Sequence, residues 1–475
     1  MSTITDSLDG FVMDYYGRDR IPFAEYAGDG TLILKDQIEL DCQFKAKQFT
    51  DGETLLICYI LPNSIDRIYI EKWKTDPILG DSLRGRTKDS QIFESIGLNN
   101  GRCFIQDDPL LVGVIFNPMQ IQIGAIEDEP VDSISFGITN FLFKGIPFQH
   151  QNYVEFIDLD LKGIKATIFK NKDYDQISAF MKMRDKQHVT CELWATVSNK
   201  HEIKTLEDKI NELCYILSVG CGSKVQWIFY KVFANGSLKY VRHISVPNKP
   251  FNAHIIIDAE RHVEDWIKFI NAAYPHYETW ISLFGEINGK PRINAAIDVF
   301  TDARISADFI QTKGIKLAVT MEVIKEMFKE AWMPENKLIK EKKTRKNMEH
   351  EIKTALQPIL EQYLPEEEIE NALGRIYQIN NASFETILKV GFTKINFTPE
   401  PDKLRRFIKN RNSLVHQGRF YSETARDEDT EKCIPQISYG EDYIFVSNFL
   451  TDVFLALFGY KGRHGEIYIV EHSPH

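Results

Sequence analysis

The sequence has no excess of positive charge, no paired cysteine motif and no long apolar run, and each lack narrows what the chain can be. Its 475 residues carry a formal net charge of −11. That excludes a surface coated in lysine and arginine for bulk nucleic-acid binding, though not a small basic site. Residues 1–300 hold 32 basic against 41 acidic side chains, and residues 301–475 hold 25 against 27, so the acidity sits mostly in the front. The seven cysteines (Cys42, Cys58, Cys103, Cys191, Cys214, Cys221 and Cys433) are scattered and odd in number, with no C-x-x-C pair. A disulfide framework or zinc site is therefore not expected, and reduced core thiols are. Met1–Arg20 is acidic and has no apolar core, unlike a signal peptide. Phe445–Tyr460 is interrupted by Asn448 and Asp452, too short and too polar to span a bilayer. The expectation is a soluble cytoplasmic protein with no membrane partner.

Several catalytic signatures are also missing. There is no G-x-x-x-x-G-K-[ST] loop, no G-x-S-x-G elbow and no H-E-x-x-H or clustered metal-ligand spacing. Gly220-Cys-Gly222 lacks a third glycine at dinucleotide-binding spacing and reads as a plain turn. No cofactor and no metal are expected.

What is present divides the chain by periodicity. Thr31–Leu34, Ile38–Cys42, Thr54–Leu61, Ile68–Trp73, Leu110–Phe116, Met119–Ile126, Ile134–Phe143 and Tyr153–Ile168 are short β-rich runs punctuated by Gly, Asp, Asn and Pro. They predict a β-rich, sandwich-like or barrel domain over 1–185. Residues 186–300 are mixed: a strand at Val189–Val197, a helix at Lys204–Leu217, and a hairpin across Asn235-Gly236 joining Val225–Phe233 to Leu238–Ile244. Short helices follow at Val263–Ala273, Tyr277–Phe284 and Ile293–Phe300. Residues 301–475 read as an all-α bundle. Its helices are Ala307–Met333 (which Gly314 could break), Met348–Tyr363, Glu366–Ile379, Phe384–Ile395, Lys403–Gln417 and Tyr443–Tyr460, before a last strand at Glu466–Val470. The predicted class is α+β multidomain, with a β-rich front, a mixed middle and a helical rear.

One motif in the rear carries chemistry: Arg411-Asn-Ser-Leu-Val-His416, followed by Gln417-Gly418. Its helix should start after Pro401, with Asp402 as N-cap, and end at Gly418, which puts His416 in the last turn. Leu404, Phe407, Ile408, Leu414 and Val415 supply an apolar stripe. Asn412 and His416 are i, i+4 neighbours on one face, and Arg411 projects from an adjoining one. Lys403, Arg405, Arg406 and Lys409 form a basic run suited to phosphate contact. A second R-x₄-H match, Arg345 to His350, lies in a charged segment where Lys346 replaces the asparagine, and reads as coincidence. The run Lys337–Lys346 reads as a solvated helix face or loop, and Glu423–Glu431 as a solvated loop.

R-N-x-x-x-H near the end of a bundle helix resembles the signature of HEPN ribonucleases. The longer string Arg406-Phe-Ile-Lys-Asn-Arg-Asn-Ser-Leu-Val-His-Gln-Gly418 is similar to the HEPN domains of ApeA-type anti-phage proteins, over residues 305–460. Gly28-Asp-Gly-Thr-Leu-Ile-Leu34 and Ile38-Glu-Leu40 more loosely resemble the β-rich N-terminal domain of those proteins. The resemblance implies metal-independent cleavage of cellular or phage RNA, tRNA included, in abortive defence against phage. It assigns His416 as general base or acid, Arg411 as phosphate stabiliser and Asn412 as positioning residue. It implies a homodimer whose two motifs line one cleft, and a polar residue from an earlier helix beside them. Glu322, in the apolar run Leu317–Ile324, is the candidate. The front would regulate the nuclease or sense a phage protein or other trigger. The alternative is a non-catalytic dimerising protein whose front binds a ligand or a phage protein.

Overall fold

Alternation of apolar and polar residues draws the front of the chain into antiparallel strands, as in Glu39–Phe49, whose first half buries every second side chain. A computed structural model describes residues 22–61, 64, 69, 72–73, 76–107, 110–126, 130–143, 156–184, 186–252, 254–257, 263–305, 308–335, 337–424 and 439–467. The chain forms two compact units, residues 1–270 with 463–465, and residues 271–462 with 466–475.

In the first unit, strands β1 (Pro22–Leu34), β2 (Glu39–Phe49), β3 (Thr54–Ile60), β4 (Gly80–Thr87), β5 (Ile92–Asp107) and β6 (Leu110–Gly124) run in the order β3-β2-β1-β4-β5-β6. Pairing of β3 with β6 closes them into a six-stranded barrel, with Ile57 opposite Ile115. The interior is filled by Leu32, Phe44, Leu56, Cys58, Phe93, Val114 and Phe116. A second cluster of Phe49, Leu55, Ile57, Tyr59 and Ile115 covers the outer side of β3, so that strand is buried on both faces and its sequence shows no alternation.

No sheet boundary falls at residue 185. Beyond its barrel half, β6 pairs with β12 (Ser237–Ile244), and the sheet continues through β11 (Trp227–Ala234), β7 (Ser133–Thr139), β10 (Val189–Thr196), β9 (Ile164–Lys170) and β8 (Phe156–Leu161). Helix α1 (Tyr174–Arg184) contacts β10, and α2 (Lys200–Cys221) packs Leu206, Ile210, Leu213 and Leu217 into the core. Asn199 caps α2 by accepting from the His201 and Glu202 amides, and Gly222 ends it in the left-handed conformation. Gly220 lies inside α2 against Trp266, so it is a packing glycine and not a turn. The Asn235-Gly236 hairpin forms with both residues at positive φ. Four expected strands differ: Tyr69, Lys72 and Trp73 are helical where described, Leu110–Phe116 and Met119–Ile126 merge into one strand through Pro118, and Tyr153–Ile168 is split between β8 and β9 where described.

The second unit is helical, apart from a small hairpin of β13 (Glu286–Ile287) and β14 (Lys290–Pro291). Helix α3 (Val263–Phe284), whose first eight residues belong to the first unit, runs unbroken through Pro275 and is followed by α4 (Arg292–Asp302) and α5 (Ile310–Trp332). Gly314 does not break α5. A side chain there would strike Leu414 and Phe420, so the glycine lets another helix approach. Then come α6 (Lys342–Tyr363), α7 (Glu366–Gly374), a 3₁₀ turn at Ile376–Asn380, α8 (Phe384–Lys394), α9 (Pro401–Gln417), α10 (Tyr421–Thr424) and α11 (Tyr439–Leu457). The core is aromatic: Phe407 stacks on Phe449 at 4.1 Å between centroids, and Phe392 meets Phe328, Phe397 and Phe449 edge-on. Glu466 and Ile467 are not in a strand, and the remainder of that expected strand, like Ala307 and most of Glu423–Glu431, lies outside the described residues. No helix among the described residues is long and apolar enough to cross a membrane.

Candidate active site

Helix α9 carries the motif, and its local sequence explains its ends. Pro401 sits at the first helical position with Glu400 as N-cap, so Asp402 lies in the first turn and does not cap. Gly418 takes a left-handed φ of 68° and donates its N–H to the Leu414 carbonyl, which leaves His416 in the last turn as expected. Leu404, Phe407 and Leu414 are buried, Ile408 is half-buried, and Val415 is 46% exposed, so Val415 does not belong to the packed stripe.

Arg411 is the centre of the site. Its Nε and Nη2 both reach Glu322 of α5, its Nη1 donates to the Asn412 carbonyl oxygen at 2.8 Å, and its guanidinium lies 4.5 Å from the centroid of the Phe384 ring. The structure thus brings Glu322, Arg411 and Asn412 together. Glu322 also accepts from Lys325 at 3.3 Å, and Lys325 continues the ladder to Glu326 and Lys329. Burial raises the Glu326 carboxyl, but the hydrogen bonds from Lys325 and Lys329 outweigh it and hold the group below its usual range. His416 is exposed and has no hydrogen-bond partner among the described residues.

The arrangement is chemically specific. Arg411 commits its Nε and Nη2 to Glu322 and one Nη1 N–H to Asn412, which fixes its orientation and leaves its remaining Nη N–H groups as donors for an anion. Asn412 has its carbonyl oxygen engaged, so its amide N–H donors are the free part of that side chain. His416 lies one turn from Asn412 on the same helix, exposed to solvent.

The basic run is less uniform than its spacing suggests. Lys403 pairs with Glu400 at 3.2 Å, Arg405 with Asp402 at 3.1 Å, and Lys409 lies over the Tyr421 ring at 4.8 Å. Arg406 is structural: it binds Asp442, whose side chain is 3% exposed, at 2.7 Å. Burial raises the Asp442 carboxyl, but Arg406 and the Ser422 amide and hydroxyl outweigh that effect and hold it below the usual range. Asn410, fully buried, donates to Asp442 and accepts from the Tyr421 amide. Together Arg406, Asn410 and Asp442 pin the turn after His416 to α11. Asp442, Asn410, Lys325 and Phe384 were not singled out from sequence. Only the i, i+4 spacing of Arg406 and Asn410 hinted at a shared partner.

Among the described residues no three His, Cys, Asp or Glu side chains gather as metal ligands. No protein-family model matches the chain, and no curated protein and no solved structure resembles it at a significant level.

Proposed function

We propose that the helical unit is a metal-independent endoribonuclease site of the HEPN kind, acting on cellular or phage RNA (tRNA included) in abortive defence against phage. The observation that carries this reading is Arg411, fixed by Glu322 and Asn412, beside an exposed His416 on the same helix end. Cleavage without metal needs three things. A base takes the ribose 2′-OH proton, a cation stabilises the charge growing on the phosphorane oxygens, and an acid protonates the leaving 5′-oxygen. His416 can serve either proton step, Arg411 the second task, and Asn412 can donate to the phosphate or orient the imidazole.

One histidine cannot be base and acid in the same step, so the site would be completed by a second copy of the chain about a two-fold axis. Support comes from the surface beside the ion pair. Gly314 approaches Leu414 while Glu322 meets Arg411, so α5 and α9 run antiparallel, and Val319 and Val415 both fall on the Gly314 side of the pair. Ile315, Val319 and Val415 are 46%, 44% and 46% exposed, an apolar border that a partner copy would cover. Residues 1–270 would then restrain or trigger the nuclease.

The test is incubation of the purified chain with total RNA in EDTA, beside Arg411→Ala and His416→Ala. Cleavage that persists in EDTA and disappears in both variants is expected. Cleavage that stops in EDTA yet survives both substitutions overturns the reading.

A second reading, a non-catalytic interaction protein whose front binds a ligand, would use a shallow surface cavity of about 290 Å³ lined by Ile92, Ala125, Val131, Leu238 and Lys239. Binding of a small molecule there, with no RNA cleavage under any trigger, would select it.

A further inference from the structure

Not one residue of α6 or α7 is buried. The two helices pack on each other and on the 3₁₀ turn, and they contribute nothing to the aromatic core. At the root of this arm, residues 337–346 carry Lys337, Lys340, Lys342, Lys343, Arg345 and Lys346 against a single acid, Glu341. Two of these cations are engaged: Lys337 donates to the Asn381 side chain at 2.5 Å, and Arg345 reaches Glu349 at 3.9 Å. Lys340, Lys342, Lys343 and Lys346 are exposed and have no ion-pair partner among the described residues. Lys342 and Lys343 also occupy the first turn of α6, where positive charge opposes the helix dipole and only the N-cap Glu341 offers a carboxylate. In a chain of net charge −11, such a local concentration of cations is where a polyanion would be attracted.

Placement gives the cluster its meaning. The Asn380 side chain, 1% exposed, grips the backbone just before Lys340: its Oδ1 accepts from the Ile339 amide at 2.7 Å and its Nδ2 donates to the Ile339 carbonyl at 3.0 Å. The Leu338 amide donates to the Asn380 carbonyl at 2.9 Å. From Asn381 the chain needs three residues, at most about 10 Å, to reach Phe384. The Phe384 ring lies under the Arg411 guanidinium. Lys340, at the near end of the cluster, is therefore a short chain path from the ring under Arg411, although it lies 71 positions from Arg411 in sequence.

We propose that Lys340, Lys342, Lys343 and Lys346 form an RNA-backbone strip that delivers the substrate strand to the Arg411–His416 site. The proposal rests on the ribonuclease reading for its substrate class. Lysine suits the task because it binds phosphate as a mobile point charge and reads no base, so the strip would hold strands of any sequence.

The test uses the full chain carrying His416→Ala, with and without Lys→Gln at all four positions, and a fluorescein-labelled unstructured RNA. Anisotropy is followed from about 50 to 200 mM salt. Loss of four phosphate contacts should weaken binding about tenfold or more and reduce the slope of log affinity against log salt by about 3. Lys→Arg at the same positions should retain binding, which separates charge from folding. With His416 intact, the four-fold glutamine variant should raise KM and leave kcat unchanged. Unaltered affinity and salt slope overturn the strip, and continued cleavage in that variant leaves the ribonuclease reading standing. Binding that depends on the lysines without any cleavage sustains the strip and defeats the reading.

Discussion

Glu322 and Arg411, 89 positions apart in sequence, form an ion pair that joins the middle of α5 to the last two turns of α9. The pair is partly open to solvent, with side-chain exposures of 31% for Glu322 and 16% for Arg411. An ion pair in that setting adds little to stability, so its importance lies in where it holds the guanidinium.

Glu322→Gln separates the two roles. Unfolding free energy should fall by about 1 kcal/mol or less. On the proposed ribonuclease reading, RNA cleavage should fall about 100-fold, because a guanidinium that must meet a phosphate loses most of its effect when displaced by an ångström. Urea titration and single-turnover cleavage on one preparation measure both. A rate that drops only in proportion to stability would make the pair purely structural.

His243 gives a pH signature to the first unit. Its ring is 1% exposed, its Nδ1 faces the Gln48 carbonyl oxygen, and its Nε2 lies 2.9 Å from the Tyr26 hydroxyl. Burial, and secondarily the charge of Lys231, push its pKa down to about 3. The unfolded chain takes up this proton near pH 6.5 and the folded chain does not until about pH 3, so stability is full above pH 6.5 and is lost as pH falls through that window. The ring should remain neutral at pH 5 by nitrogen NMR, and His243→Gln should flatten the stability profile between those limits. An imidazolium signal at pH 5 in the folded protein would contradict this.

Gly391 tests the aromatic core. A Cβ at this position would lie 1.9 Å from the Phe328 ring. Phe328 is itself fully buried against Trp332 and Phe392, so it has nowhere to go. Gly391→Ala should cost about 1–3 kcal/mol despite its better helix propensity. Adding Phe328→Leu should cost less than the two separate effects summed, which a double-mutant cycle by urea denaturation would read.

Local signals in the sequence were enough for part of the local structure, though not for Asp402, which does not cap α9, or for Tyr69 and Trp73, which are helical. Gly418 ended its helix, Asn235-Gly236 made its hairpin, and the apolar run around Glu322 marked a polar residue with a reason to be there. What sequence did not disclose was pairing at a distance. Strand β3 is buried on both sides and so carries no alternation that could announce the closure with β6. Asp442 looks like any acid in a first helical turn, and only the folded chain brings Arg406 and Asn410 to it. Asn380 follows the same pattern: a polar residue in a short turn gives no sign that it holds the base of a helix 40 residues away.

Strand β6 belongs half to the barrel and half to the strand that follows it in space, and this sets a schedule for the ribosome. Gln120–Ile123 pair with β5 on one side, but the other edge of Gln120–Gly124 must wait for Tyr240–Ile244, some 120 residues downstream. At about 5–20 residues per second the wait lasts roughly 6–24 s. Throughout it a finished barrel presents one raw β edge to the crowded exit site. Newly made chains should therefore be most prone to clump, and most dependent on chaperones, in that interval.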